Sequence, residues 1–204
     1  PGCRFFDQRL VSSITLRGHE ILQTTRDLLE DWGYAVIYGD TDSVFVWLRG
    51  ADQTSNVDAT GHDLMARLNR WWQAQIESSA GTVSCLEVEY ETHFARFLMP
   101  TVRGSTTGSK KRYAGLVTTG DAETLVFKGL ETVRSDWTPL ARMFQQELYR
   151  LVFHDQPVID FVRDTVASVY AGEHDEELVL RRRLRRRLED YTKNVPPHVK
   201  AARL

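Results

Sequence analysis

The sequence predicts an α+β fold: an antiparallel sheet with packed helices, followed by a mainly helical portion. Three observations predict it. Apolar residues recur at helical spacing in the first 32 residues and again after residue 137. Between these regions, short runs rich in β-branched and aromatic residues are separated by turn-forming Gly, Asp and Thr. Neighbouring antiparallel strands combined with helices in this order are typical of α+β proteins.

The first element is predicted to be a helix over residues 7–32. Leucine and isoleucine recur there with the helical period, Asp7 is a suitable N-cap, and Gly33 is a suitable residue to end the helix. Two apolar runs follow, residues 34–37 and 44–48, and a short Gly/Asp/Thr segment joins them. This pattern predicts a tight β-hairpin.

A polar loop and a second amphipathic helix, over residues 59–78, follow the hairpin. The period then changes to two in residues 86–91, so that Glu87 and Glu89 share one face of a predicted strand. The remaining predicted elements are strands over 94–99, 112–117 and 124–127 and helices over 138–154 and 157–171. We place a domain boundary near Asp136 and expect the C-terminal third to be helical and increasingly basic.

Bulk composition is that of a globular protein, with 42% hydrophobic and 26% charged residues. No apolar run approaches the roughly 20 residues that cross a bilayer, so no membrane partner is expected. Cys3 and Cys85 form neither a metal-ligand pattern nor a disulfide framework, which favours a reducing cytoplasm. Because the chain opens on proline rather than methionine, we expect a piece of a longer protein.

The net charge of −2 hides an asymmetry between the C-terminal arm and the rest of the chain. Residues 178–204 contain nine Lys or Arg against two acids, a net +7, while the remainder carries −9. Within the arm, residues 181–187 contain six arginines in seven positions. Such a run is often a solvated face, but its density favours a polyanionic partner. An acidic body with a basic arm fits a protein that holds metal in one place and phosphates in another.

The predicted hairpin places Asp40 and Asp42 at its tip, on either side of Thr41. A common two-residue hairpin loop would have Asn-Gly or Asp-Gly there. Two carboxylates one residue apart repel each other unless a cation lies between them, and hard oxygen ligands suit Mg²⁺. The alternative interpretation is that both aspartates are solvated turn residues.

A second cluster, Lys110, Lys111 and Arg112, leads into the strand predicted over 112–117, which contains Tyr113. Tyr113 is two positions after Lys111, so the strand period predicts that they share a face. Cations supply salt-dependent contacts to phosphates, and an aromatic ring beside them can stack on or steer a sugar.

Four segments together resemble family B DNA polymerases. The hexapeptide Tyr-Gly-Asp-Thr-Asp-Ser at residues 38–43 is similar to the family's motif C, and residues 110–113 resemble its Lys-Lys-Arg-Tyr motif, which grips primer–template DNA. Residues 128–137 resemble the palm–thumb junction, with Ser135 in place of the commoner second arginine, and residues 191–202 resemble a thumb segment. Short phrases at 97–100 and 129–134 favour the bacterial branch of the family.

The resemblance implies that residues 1–136 are the C-terminal part of the polymerase palm and that 137–204 are part of the thumb. Asp42 is then the expected direct Mg²⁺ ligand, and Asp40 is a weaker ligand nearer the primer end. Glu87 or Glu89 brings a further carboxylate, unless both form a solvated strand face. The expected nucleic-acid contacts are Lys110, Lys111, Arg112 and Tyr113, with His198 and Lys200 as weaker candidates for duplex phosphates.

The implied partners are primer–template DNA and dNTPs, with a sliding clamp recruited through other parts of a longer protein. The implied setting is repair or damage-tolerant synthesis in a bacterial cytoplasm, in association with the nucleoid. The family's motif A, fingers and exonuclease strings do not occur in these 204 residues. We therefore expect half of a two-metal site, and no activity from this chain alone.

Two other interpretations stay open at this point. The chain could be a nucleic-acid-binding module that performs no chemistry. It could also belong to a cyclase-type palm, which likewise uses two acids on a sheet, although that leaves residues 110–113 and the C-terminal helices unexplained.

Overall fold

The computed structural model describes residues 4–48, 56–101, 104, 108–109, 111–134 and 136–204. They belong to two compact units, Pro1–His93 and Phe94–Leu204. Both units combine helices with antiparallel strands, which confirms the predicted α+β class. The boundary predicted near Asp136 lies within the second unit, and the division into palm and thumb portions stays a prediction.

The first unit contains two long helices and one hairpin. Its elements are α1 (Gln8–Asp31), β1 (Ala35–Asp40), β2 (Ser43–Trp47) and α2 (Val57–Ala80). As predicted, the Asp7 carboxylate caps α1, accepting a hydrogen bond from the Arg9 amide at 2.8 Å. Gly33, with φ of 90°, follows the helix, and the Tyr34 amide donates to the Leu29 carbonyl at 2.9 Å.

Leu29 is the centre of the first unit's core and is 1% exposed. It clusters with Leu64 and Leu68 of α2, and valines from both hairpin strands pack against this group. The apolar face of each helix thus buries one face of the hairpin, which confirms that the first helix packs on the sheet. The buried Trp72 indole donates a hydrogen bond to the Thr25 hydroxyl at 3.0 Å and thereby joins the two helices.

The strand predicted over residues 86–91 is wrong: none of residues 83–94 lies in a strand. The alternation of exposure is present, with Glu87 and Glu89 exposed and Val88 half-buried. However, the Asn69 side chain of α2 takes both backbone groups of Val88, accepting from its N–H and donating to its C=O, each at 2.8 Å. A side-chain amide therefore satisfies backbone groups that a neighbouring strand would otherwise pair.

Tyr90 anchors the same segment to the start of α2. Its hydroxyl donates to the Asp58 carboxylate at 2.6 Å. Burial, followed by the hydrogen bond and the charge of Asp58, raises the pKa of Tyr90 to about 12.

The second unit contains a three-stranded antiparallel sheet in the order β3 (Arg96–Leu98), β4 (Tyr113–Thr119), β5 (Ala122–Lys128). The helices are α3 (Pro139–Phe153), α4 (Ile159–Tyr170) and the short α5 (Pro197–Ala201), with 3₁₀ turns at Glu131–Val133 and Leu188–Asp190. Phe153 of α3 packs on Ala114, Leu116 and Leu130 to form the core. The predicted strands and the two predicted helices of this unit are thus confirmed.

The expectation that the C-terminal third is helical is wrong for the arginine run at 181–187, which contains no helix. On a helix, Arg181 and Arg185 would lie next to each other on one face. The same holds for Arg182 and Arg186 and for Arg183 and Arg187. Like charges at this spacing destabilise a helix. Across the described part of the chain, no helix combines the length and apolar character needed to cross a membrane.

The two hydrogen bonds between the Asn69 side chain and the Val88 backbone, called the Asn69 clasp below, can be tested with Asn69→Ala. This variant leaves a half-buried N–H and C=O without their side-chain partner. We expect the free energy of unfolding to fall by about 1–3 kcal/mol in chemical denaturation. Gln73→Ala is the control, because Gln73 lies one turn further along α2, is exposed and donates to Glu77. Its effect should stay within about 0.5 kcal/mol. Equal losses for both variants would contradict the role assigned to Asn69.

Candidate active site and nucleic-acid interface

The two aspartates lie at the hairpin tip, as the sequence predicts. Asp40 is the last residue of β1 and pairs with Ser43, the first residue of β2, so Thr41 and Asp42 form a two-residue loop. Asp40 is half-buried, whereas Asp42 is exposed. Asp42 is therefore the carboxylate that is more open to solvent and to a ligand.

A β-bulge in β1 decides which way Asp40 points. Val36 opposes Val46, and the next pair is Tyr38 with Phe45, so Ile37 is an extra residue on its strand. Directly opposed residues share a face of a sheet, and Val36 and Val46 face the core. Simple alternation from Val36 would place Tyr38 and Asp40 on that core face. The extra residue moves both to the face directed away from α1.

The hairpin loop is tight and strained at Thr41. The Asp42 amide donates to the Asp40 carbonyl at 2.6 Å, and Thr41 has φ of 55°, an unfavourable region for a β-branched residue. The loop between β4 and β5 also has two residues, and there Gly120 takes the same first position with φ of 60°. Strain of this kind persists where the surrounding structure and the function require it.

Thr41 also contacts the neighbouring carboxylate directly. Its hydroxyl donates to Asp40 Oδ1 at 3.2 Å, and the Ser43 hydroxyl lies 3.4 Å from the Asp40 carbonyl as a weak donor. The Thr41 hydroxyl therefore restricts the orientation of the Asp40 carboxylate, and the Ser43 hydroxyl contacts only its backbone.

The donor set at the tip fits a hard divalent cation, because it consists of carboxylate oxygens. The residues that the structure describes contain no group of three or more His, Cys, Asp or Glu arranged to hold a metal ion. Glu87 and Glu89 therefore do not form a single ligand cluster with both aspartates. Two protein carboxylates would leave most of an octahedral Mg²⁺ shell to water and to substrate oxygens.

The basic cluster of the second unit begins just before β4, with Lys110 outside the described residues. Lys111 is exposed and has φ of 61°, and β4 starts only at Tyr113. Strand alternation does not extend through a left-handed residue, so the argument that placed Lys111 and Tyr113 on one face does not hold.

The turn at Lys111 packs backbone against backbone on Gly129, which follows β5. A Cβ at Gly129 would lie 2.1 Å from the Lys111 carbonyl oxygen, and Gly129 itself has φ of 61°. Only glycine fits this position. Lys111 of the basic motif and Gly129 of the segment after β5, which are separate in the sequence, are therefore in direct contact.

Arg112 forms an ion pair with Glu131. The other carboxylate oxygen of Glu131 accepts from Gln145 Nε2 of α3 at 2.7 Å, and Gln145 Oε1 accepts from the Thr132 amide at 2.9 Å. Burial raises the pKa of Glu131, but the hydrogen bonds and the Arg112 charge outweigh it, so that pKa is below its usual value. The sequence assigned no role to Glu131 or Gln145, although Glu131 lies inside a recognised motif.

Tyr113 belongs to an aromatic group on the sheet face opposite the core. Its ring centroid lies 5.3 Å from that of Phe97 and 6.1 Å from that of Phe94. Phe94 covers Gly115, where a Cβ would lie only 2.2 Å from the Phe94 ring. The Tyr113 ring is thus held by packing.

The C-terminal candidates flank a buried valine. His198 and Lys200 lie on α5 on either side of Val199, which is 0% exposed, and Lys200 is exposed. Arg203 ties this end of the chain back by donating to the Leu188 and Tyr191 carbonyls at 2.6 and 3.0 Å.

Asp136 contacts two arginines, one in the segment after β5 and one in the arginine run at 181–187. Asp136 is ion-paired with Arg134 and lies 3.8 Å from Arg182. Ser135, between Arg134 and Asp136, is outside the described residues.

Comparison with known proteins identifies the family. The model of DNA polymerase family B matches residues 2–203. The chain belongs to DNA polymerase family B. It is 58% identical to Escherichia coli K12 DNA polymerase II over 203 residues, covering 100% of this chain and 26% of that protein. A DNA polymerase of Archaeoglobus fulgidus is 30% identical over 98% of this chain and 22% of its own length.

A eukaryotic relative, the DNA polymerase alpha catalytic subunit of Leishmania donovani, is 30% identical over 98% of this chain and 15% of its own length. The chain therefore spans about a quarter or less of these family B relatives. The expected resemblance to the bacterial branch is confirmed by the identity with the Escherichia coli protein. All four recognised motifs lie within the region that the family model matches.

The left-handed conformation of Thr41 in the hairpin loop leads to a prediction about the stability of this family B chain. Thr41→Gly relieves the left-handed conformation at a threonine, and we expect the free energy of unfolding to rise by about 0.5 kcal/mol after the entropy of glycine is counted. The reciprocal Gly120→Thr should lower it by about 1–2 kcal/mol. Both are measured by chemical denaturation, and a loss of stability in Thr41→Gly would show that the loop is not strained.

Proposed function

We propose that the chain contributes part of the nucleotidyltransferase site of a DNA-directed DNA polymerase, together with part of its primer–template grip. Two carboxylates that flank Thr41 at a strained hairpin tip, in a chain that belongs to family B, carry the proposal. The reaction joins the primer 3′ oxygen to the α-phosphorus of a dNTP, and pyrophosphate leaves with the electrons of the broken bond.

Asp42 is the direct ligand of Mg²⁺ in this proposal, and Asp40 is the weaker ligand nearer the primer end. When bound, Mg²⁺ would supply charge stabilisation at the transferring phosphoryl group and would make the attacking hydroxyl more acidic. The bulge at Ile37 directs Asp40 away from the core, and the Thr41 hydroxyl restricts its carboxylate. Glu87 or Glu89 would add a further carboxylate once the remainder of the site is in place.

DNA binding is assigned to the basic cluster and to the C-terminal arm. The cluster consists of Lys110, Lys111, Arg112 and Tyr113, and the arm adds residues 181–187, His198 and Lys200. Exposed cations such as Lys111 and Lys200 support contacts to the phosphate backbone, which are independent of sequence. The division into palm (1–136) and thumb (137–204) belongs to the same proposal.

The identity with a protein named DNA polymerase II supports a proposal for the biological setting. We propose Mg²⁺-dependent synthesis in repair or damage tolerance, in the bacterial cytoplasm and in association with the nucleoid. Binding to a sliding clamp would be a property of parts outside these 204 residues.

In the full-length polymerase, Asp42→Ala should abolish nucleotide incorporation in a primer-extension assay and leave duplex binding largely intact. A lost metal ligand removes several kcal/mol of transition-state stabilisation. Asp40→Ala should be the milder variant. Asp121→Ala is the matched control, because Asp121 is also the second residue of a two-residue hairpin loop. Near-normal incorporation by Asp42→Ala would exclude the metal role.

The isolated 204-residue chain should show no primer extension, since it lacks the motif A carboxylate of the two-metal site. It should also bind Mg²⁺ weakly, because two carboxylates leave most coordination to water. Isothermal titration with Mg²⁺ and an extension assay measure both. Robust incorporation by the pure chain would contradict the half-site.

Lys111→Ala in the full-length polymerase should weaken duplex binding equally for different sequences. It should also reduce the slope of log K against log salt by about 0.9, the contribution of one phosphate contact on duplex DNA. Titrations at several salt concentrations compare the variant with the wild type. An unchanged slope would mean that Lys111 touches no phosphate.

A further inference from the structure

We propose that Glu131 and Gln145 are positioning residues for the basic turn at Lys111, and that Arg112, the member of the basic cluster that pairs with Glu131, serves DNA binding indirectly by connecting them to this turn. The inference rests on the proposed role of Lys111 in binding the DNA backbone. It gives two cations of the Lys-Lys-Arg-Tyr motif different roles, because Lys111 is exposed and Arg112 is paired with Glu131.

Glu131 is the centre of this network, and each of its carboxylate oxygens has its own donor. Oε1 is paired with Arg112, and Oε2 accepts from Gln145 Nε2 at 2.7 Å. The Glu131 side chain is only 18% exposed, while that of Arg112 is 42% exposed. A carboxylate that is largely removed from water depends on both donors, so loss of either one disturbs the whole network.

Gln145 connects the network to helix α3. Its Oε1 accepts from the Thr132 amide at 2.9 Å while its Nε2 donates to Glu131, so both ends of the amide are in use. A side chain that both accepts and donates is required here, and neither a carboxylate nor an aliphatic group can do both. Helix α3 thereby fixes Glu131, which in turn fixes Arg112, the residue directly after Lys111.

The backbone supports the same turn from its other side. Lys111 has φ of 61°, and its carbonyl packs on Gly129, where a Cβ would lie 2.1 Å from the oxygen. Lys128 pairs with Tyr113 in the adjoining ladder. The left-handed turn is therefore held between the end of β5 and the Arg112 network, and Lys111 is exposed at its surface.

The sign of a charge effect separates this proposal from direct DNA binding by Arg112. If Arg112 contacted phosphate, the neighbouring Glu131 charge would oppose binding, and its neutralisation would strengthen it. If Glu131 positions the turn, its neutralisation weakens binding even though the protein becomes more positive.

The experiment measures duplex DNA binding by Glu131→Gln in the full-length polymerase at fixed salt. We expect the Kd to rise about five- to tenfold, the size of one typical lost hydrogen bond. Glu147→Gln is the control, because it removes the same charge from a half-buried position on α3, where Glu147 pairs with Arg150. Its Kd should equal that of the wild type or lie slightly below it.

A double variant separates positioning from general destabilisation. Glu131→Gln should cost less than about twofold in a Lys111→Ala background, since the cation that it positions is already absent. General loss of stability would weaken both backgrounds equally. Gln145→Leu, which changes no charge, should show the same pattern and decides the question if Glu131→Gln does not fold.

Unchanged or tighter binding by Glu131→Gln, or full additivity with Lys111→Ala, would overturn the positioning role. If Lys111→Ala weakens binding and neither network variant does, only this inference fails. If Lys111→Ala itself binds like the wild type, the proposed DNA contact fails, and the positioning role fails with it.

Discussion

Side chains of a β-strand alternate between two faces. In both candidate sites, this alternation decides which residues face the core and which face away from it. In the hairpin, one extra residue at Ile37 reverses the alternation, so that Val36 before it faces the core and Asp40 after it faces away. In β4, no reversal is needed, because Ala114 and Leu116 face the core and Tyr113 lies on the other face. Core packing and site chemistry therefore share the same short strands without competing for the same face.

Close backbone contacts join the segments that carry the chemistry. The Asp42 amide and the Asp40 carbonyl close the hairpin loop, and the Lys111 carbonyl lies where a Cβ at residue 129 would be. Left-handed residues, Thr41 and Lys111, occur at both places. Neither is glycine, so each conformation is maintained by its surroundings and not by local preference.

Much of the fold follows from local patterns in the sequence. The Asp7 cap, the terminating Gly33 and the hairpin are predicted within one or two residues, because capping and turn chemistry act over a few neighbours. The placement of Asp40 and Asp42 at the tip follows from the same turn. Three features depend on partners that are distant in the sequence, and local patterns do not predict them. They are the Asn69 clasp on Val88, the left-handed turn at Lys111, and the pairing of Arg112 with Glu131.

The Asn69 clasp has a consequence for solubility. An extended segment with alternating apolar residues, such as 86–91, is a template onto which another chain can add a strand, and such edges promote aggregation. The N–H and C=O of one residue in an extended chain point to the same edge. Because Asn69 occupies both groups of Val88, an incoming strand cannot pair there. A single amide side chain thus blocks intermolecular β-pairing at Val88.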